Sequence, residues 1–223
     1  MLPKKIRIEL HANASTSFVA NMAAASVDLD VKKKLTHILE IDKVEIPDTW
    51  NIGVICGNSG SGKTTLAKHI FGEDIFSEPV DFQKAIIDQF SDDMDYKARV
   101  DVLTGVGLSQ VPCWIKPLGT LSNGQQQRAM AGVSLSKERE PVVMDEWTSV
   151  VDRTVAAAMS HCLQKYTRKK NKKVILLTCH YDVIAWLKPD FLIDCNLQKF
   201  LLPEKMENEN DDSNGPIVAT ITV

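Results

Sequence analysis

Residues 57–65 read Gly-Asn-Ser-Gly-Ser-Gly-Lys-Thr-Thr, a glycine-rich stretch that ends in a lysine and two hydroxyl side chains. Glycine reaches backbone conformations closed to other residues, so successive N–H groups of Gly57, Asn58, Ser59, Gly60, Ser61 and Gly62 can face one anion. The apolar run Trp50–Cys56 feeds the loop and Thr64–Phe71 continues as a helix, whose N-terminal dipole adds to the anion site. In that setting Lys63 reaches terminal phosphates as a mobile cation, Thr64 offers its hydroxyl to Mg²⁺, and Thr65 completes the phosphate-binding set. A chain organised around this strand–loop–helix unit is expected to be α/β with a mainly parallel sheet.

The rest of the chain supports that class. Ile6–Leu10 alternates and reads as an edge strand, and residues 12–26 fit either a loop or a short helix. Lys32–Leu39 reads as a turn into a strand, Glu40–Ile46, that Pro47 ends. A short strand is expected over Lys84–Asp88. Residues 91–120, with helical periodicity and then Gly107, Pro112 and Pro117, read as a small helical insertion. A helix follows over Asn123–Lys137, then a buried strand (Pro141–Met144), a helix (Val155–Tyr166) and a second buried strand (Val174–Thr178). The acidic, polar segment 204–215 is expected to be a mobile loop, with Ile217–Val223 returning as a strand. The whole chain, residues 1–223, reads as a single domain: an N-terminal β region (1–50), a catalytic core (51–90 and 125–200) and the insertion (91–124).

Strand ends are where an open α/β sheet presents ligand-binding groups. Pro141-Val-Val-Met-Asp-Glu146 places Asp145 and Glu146 at such an end. Asp145 fits a role in holding Mg²⁺ through water, and Glu146 fits a general base that polarises an attacking water. His180 follows the strand Val174–Thr178 and is expected to contact the γ-phosphate or that water. Gln89 ends the expected strand Lys84–Asp88 and is read as a second contact to Mg²⁺ or water, with Gln83 as a competing candidate.

Taken in order, these motifs resemble those of the ATP-binding cassette (ABC) ATPases. Gly57–Thr65 matches the phosphate loop, Gln89 the Q-loop residue, and Leu121-Ser-Asn-Gly-Gln125 the Leu-Ser-Gly-Gly-Gln signature. Asp145-Glu146 is similar to the Walker B pair, Ser149-Val-Val-Asp152 to the D-loop, and His180 to the switch histidine. The resemblance covers about residues 40–195. It implies a P-loop NTPase fold with an N-terminal antiparallel β part, and ATP and Mg²⁺ as cofactors. It also implies a head-to-tail dimer in the ATP state, in which Ser122, Asn123, Gly124 and Gln125 of one subunit contact the γ-phosphate held by the other. Asp152 is the D-loop residue of that arrangement. Asn123 stands in place of a glycine and Trp147 where most transporter members have proline. No aromatic occurs in residues 19–49, where the family places one against adenine.

The wording Asp145–Arg153, together with Cys179-His-Tyr-Asp-Val183 and Trp186–Pro189, resembles a narrower branch. Its members are soluble ABC-type ATPases beside or fused to predicted N-acetyltransferase domains. The main expectation is a soluble ATPase coupled to a protein or nucleic-acid partner. The alternatives are a nucleotide-binding subunit of a membrane transporter and a slow nucleotide-gated switch.

Composition narrows the partners. A net charge of −3 gives no global basic field for nucleic acid, although the run Arg168–Lys173 could form a local one. The bland alternative for that run is a helix C-terminus, where cations complement the dipole. No apolar stretch is long enough to span a bilayer, so no membrane insertion is expected. The five cysteines lack a paired metal-site spacing and suit a reducing cytoplasm.

Overall fold

A computed structural model describes residues 4–11, 15, 17–28, 36–76 and 80–203. The expected mobile loop at 204–215, the strand at 217–223 and residues 32–35 of the expected turn lie outside these residues.

The N-terminal unit is a pair of antiparallel strands, β1 (Lys4–His11) and β2 (Thr36–Val44), with the helix α1 (Phe18–Ala25) between them in sequence. Alternation governs the pair: Ile6, Leu39, Ile41 and Val44 turn inward and are buried. The strand expected from Glu40 begins earlier, at Thr36, because its register with β1 runs on to His11 opposite Thr36. The open choice at residues 12–26 resolves to a helix over its last part, begun by Ser17, whose hydroxyl accepts from the Ala20 N–H at 3.2 Å.

The core sheet has five strands in the order β4–β5–β3–β6–β7. The strands are β3 (Ile52–Cys56), β4 (Val142–Met144), β5 (Val174–Thr178), β6 (Phe191–Asp194) and β7 (Lys199–Leu201). The first four run parallel, and β7 returns antiparallel to β6. β3, β4, β5 and β6 are buried along their whole length, as the unbroken apolar runs of a sheet covered on both faces require. Gly53 belongs to this close packing: a Cβ there would lie 2.3 Å from the Phe191 ring and 2.7 Å from Ile175.

Helices cover the sheet. They are α2 (Lys63–Phe71), α3 (Tyr96–Gly105), α4 (Val111–Trp114), α5 (Asn123–Ser136), α6 (Arg153–Lys170) and α7 (Val183–Leu187). Leu66 and Ala67 of α2 pack on the face carrying Ile55, Ile175 and Phe191, whereas the inserted helices and α6 close the face carrying Val54, Val142 and Leu176.

The strand expected over Lys84–Asp88 does not form. Residues 86–88 make one 3₁₀ turn, and Ala85 instead bridges Pro117 of the insertion. Ile86 is fully buried, so the apolar run was a packing signal, which short sequences do not resolve into strand or turn.

Candidate active site

β3 delivers the chain into the phosphate loop. Gly60 and Gly62 adopt φ of +78° and +90°, the left-handed region that favours glycine. The loop's base is tied down twice: the Gly57 N–H donates to the Thr178 carbonyl (3.3 Å) and the Asn58 N–H to Asn196 Oδ1 (3.0 Å). Lys63 is only 6% exposed, and its ammonium donates to the carbonyls of Gly57 and Asn58, both at 2.9 Å. Its charge is thus held across the mouth of the loop by weak neutral acceptors that a phosphate oxygen can replace. Ser59 and Gly60 are exposed at the tip, and Ser61 and Gly62 half-buried beneath it. Thr65 is exposed in the first turn of α2.

The next residue after β4, Asp145, meets α2 at this point. Thr64 Oγ1 donates to Asp145 Oδ2 at 2.9 Å, and Asp145 Oδ1 accepts the Glu146 N–H at 2.8 Å. A hydroxyl and a carboxylate in contact are hard oxygen donors suited to Mg²⁺, which characteristically takes one or two protein oxygens and fills the rest from phosphate and water. Among the described residues no cluster of three or more His, Cys, Asp or Glu side chains forms a self-sufficient cage. Thr64 and Asp145 are the oxygen donors present that fit Mg²⁺.

Glu146 is exposed and has φ of +51°, and Thr148 has +66°. Two such residues so close together are uncommon outside functional turns. The turn is held from below: Gln127 Nε2 donates to the Glu146 carbonyl at 2.9 Å, and the Trp147 N–H to the Leu177 carbonyl at 2.8 Å. The Glu146 carboxylate accepts from the Ser149 hydroxyl. Trp147, in the proline position, is 2% exposed and donates its indole N–H to Ser160 Oγ at 3.0 Å, so this residue anchors the turn in the core.

His180 lies two residues beyond β5. Its N–H donates to Thr178 Oγ1 at 3.1 Å, and that hydroxyl donates to the Trp147 carbonyl at 3.0 Å. The phosphate loop, the Asp145–Glu146 turn and the His180 segment thus converge on the ends of β3, β4 and β5, as their places in the sequence implied.

Gln89 is placed differently. Its amide Nε2 donates to the carbonyls of Asp81 (2.8 Å) and Lys84 (3.1 Å), and its Oε1 accepts the Asp81 N–H at 2.8 Å. With no strand to aim it, the side chain braces the 81–84 turn, and a contact to Mg²⁺ requires these bonds to be released. Gln83 is exposed.

The signature sits at the start of α5. Ser122 and Gln125 form a capping box, in which the Ser122 N–H donates to Gln125 Oε1 at 3.0 Å. Asn123 is the first helical residue and has no positive φ, so the left-handed tolerance of asparagine is not used here. Gly124 serves packing: a Cβ there would lie 3.0 Å from Val155 and 3.4 Å from Val151. Ser122 and Asn123 are exposed, with N–H groups of the helix N-terminus beside them. Asp152 caps α6 by accepting the Val155 N–H at 2.9 Å. Next to it, Arg153 pairs with Asp182 and lies 5.4 Å from the Trp186 ring.

The sequence reading missed the supports. Thr178 and Asn196 carry no motif, and Gln127 follows Gln125 by two residues in the run Gln125–Arg128 with nothing local to mark its role.

Arg168, Lys170, Lys172 and Lys173 of the run 168–173 are engaged locally, while Lys169 is exposed. Arg168 pairs with Asp190 (3.0 Å), Lys170 with Asp101 (2.7 Å) and Lys172 with Glu140 (3.7 Å), while Lys173 lies 5.5 Å from the Trp50 ring. The Lys170 ammonium holds the Asp101 carboxyl below the usual carboxylate range. Asn171 ends the helix in left-handed geometry.

Comparison with known proteins places this architecture. No family model matches the chain. The oligopeptide transport ATP-binding protein OppD of Lactococcus lactis subsp. cremoris is 32% identical over 65 residues, covering 29% of this chain and 19% of that protein. The chain thus matches about a fifth of that relative's length. Among solved structures, cbiO1 of Clostridium perfringens, part of the ABC transporter complex cbiONQ, superposes with a TM-score of 0.58 at 18% identity. That match covers 77% of this chain and 85% of the other. The dimeric bacterial ABC transporter cassette MJ0796 superposes with a TM-score of 0.52 at 16% identity, covering 71% and 87%. The fold is that of the ABC ATPase domain.

Proposed function

We propose that this chain, with the fold of the ABC ATPases, binds Mg-ATP and hydrolyses it at two composite sites in a head-to-tail dimer, as the nucleotide-binding subunit of a membrane transporter. The observation that carries the ATPase reading is the contact of Thr64 with Asp145 beside a lysine-closed phosphate loop. When bound, Mg²⁺ neutralises phosphate charge and orients the terminal phosphoryl group. Lys63 exchanges its loop carbonyls for phosphate oxygens, and the loop N–H groups of residues 57–65 cradle the anion. Glu146 accepts the proton of the attacking water, His180 orients that water or the γ-phosphate, and Gln89 reaches the site only once the 81–84 turn opens.

The dimer rests on the signature. The exposed N-terminus of α5, with Ser122, Asn123, Gly124 and Gln125, offers an anion site whose natural ligand is the γ-phosphate of a second copy. Exposed Val150 of the D-loop beside Asp152 gains cover in the same contact. One solved relative, MJ0796, is a dimer in a post-hydrolysis state with ADP and Pi.

This choice departs from the main sequence expectation, a soluble ATPase coupled to a protein or nucleic-acid partner, and takes up its alternative of a transporter subunit. Several relatives are named as transport components, among them the oligopeptide transport protein and a member of cbiONQ, although the ribosome recycling factor aABCE1 shares the fold as well. Locally, Phe82 (45% exposed), Val111 (50%) and Ile115 (68%) are large apolar side chains on the 82–89 segment and the insertion. Those two segments are joined by the Ala85–Pro117 bridge and by the Gly119 N–H to the Phe82 carbonyl at 2.9 Å. Exposed apolar groups on linked segments suit a docking partner. The ion-paired state of Arg168, Lys170 and Lys172 argues against a phosphate-backbone role for that run. Among the described residues no helix is long and apolar enough to cross a membrane.

The test is steady-state ATP hydrolysis by the purified protein with and without DNA or RNA, beside membrane-fraction co-purification of Glu146→Gln held in ATP. Turnover indifferent to nucleic acid and co-purification of an integral membrane protein are expected. Strong stimulation by nucleic acid would overturn the transporter assignment, and absence of any ATP hydrolysis would overturn the ATPase reading.

A further inference from the structure

Thr178 is the last residue of β5 and is completely buried. Its hydroxyl is used in both directions: Oγ1 donates to the Trp147 carbonyl at 3.0 Å and accepts the His180 N–H at 3.1 Å. Its backbone carbonyl accepts the Gly57 N–H at 3.3 Å. One residue therefore touches the start of the phosphate loop, the turn that carries Glu146, and the segment that carries His180.

The geometry points to Thr178 as a positioning residue for the proposed hydrolysis: its hydroxyl sets the distance between the Glu146 turn and His180. The inference rests on the ATPase reading. Two observations give it weight. The turn at Glu146 and Thr148 holds positive φ angles, which persist only where surrounding bonds over-determine them, and the Trp147 carbonyl lies between those residues. His180 begins beyond the sheet ladder, since β5 ends at Thr178, so the hydroxyl supplies its first fixed backbone bond after the strand. A hydroxyl at a strand end can bridge two loops because it donates and accepts at one atom. Valine has the same shape and can do neither.

Thr178→Val is therefore expected to bind ATP within about 2-fold of wild type while kcat falls about 10- to 100-fold, since small misplacements of reacting groups cost that much. Thr178→Ser keeps the hydroxyl and should retain most of kcat. Serine rescue together with the split between affinity and turnover distinguishes positioning from a general loss of structure. If Thr178→Val does not fold, hydrogen exchange at the His180 amide, slow in wild type and in Thr178→Ser but fast in Thr178→Ala, reads the same bond. Wild-type kcat in Thr178→Val, or equal loss in the serine and valine variants, or unchanged exchange, would overturn the inference. A wild-type protein that binds ATP without hydrolysing it would overturn the functional reading beneath it.

Discussion

The phosphate loop and the signature helix both present a helix N-terminus to anions, yet they differ in how complete they are. At the loop, Lys63 and Thr64 already have partners within the chain: the carbonyls of Gly57 and Asn58, and the Asp145 carboxylate. At the signature, Ser122 and Gln125 satisfy each other and Ser122 and Asn123 face solvent. Lys63 and its loop can bind a nucleotide within one subunit. The helix at Ser122 has the groups for a phosphate and no phosphate-binding loop of its own. On the proposed function, this difference lets one subunit bind ATP alone and turn it over only in a pair.

The largest effect that sharpens this contrast is Glu146→Gln, which removes the proposed base and leaves the loop untouched. Turnover should fall about 10²- to 10⁴-fold with ATP affinity retained, by single-turnover kinetics and equilibrium binding. Wild-type rates in this variant would end the role of Glu146. Lys63→Ala acts on the loop alone. The loss of a charge-assisted bond of about 1.5–3 kcal/mol should weaken ATP binding about 10- to 100-fold by titration calorimetry; unchanged affinity would mean that the lysine is not a phosphate ligand. Gly53→Val probes the sheet under the loop rather than the site. Overpacking against Phe191 should cost about 1–3 kcal/mol in urea unfolding, and full stability would show that the core gives way more readily than the close contacts imply.

The smallest effect concerns thiols. Burial pushes the Cys195 thiol up to about 12, with Asp194 adding to the shift, and burial raises that of Cys56 as well. Because the thiolate is the reactive form, both should resist alkylation through neutral pH in the folded protein and react only on unfolding. Mass spectrometry after brief labelling checks this, and rapid modification of Cys195 at pH 7 would contradict its buried setting.

Legibility in the sequence followed the same division. The phosphate loop could be read because its chemistry is local: glycines at 60 and 62 are needed for the φ they adopt, and Lys63 and Thr64 follow at fixed spacing. The strands Ile52–Cys56 and Val174–Thr178 announced themselves as apolar runs buried on both faces. The segment 84–88 looked alike but became a turn, because its neighbour is Pro117 of the insertion, a contact no local pattern encodes. Gln89 lost its expected aim with that strand. β6 and β7 were not anticipated, although Phe191–Asp194 is itself a short apolar run. Thr178 and Gln127 escaped notice because they act through carbonyls of residues far along the chain, and such hydrogen bonds leave no spacing to read.

The most direct test of the account is the mass of Glu146→Gln in Mg-ATP, measured by light scattering, beside that of Glu146→Gln with Ser122→Arg. The account predicts an ATP-dependent dimer for the first and a monomer that still binds ATP for the second. A dimer that survives Ser122→Arg, or a Glu146→Gln protein that stays monomeric at saturating ATP, would contradict a site completed by the signature of a second copy.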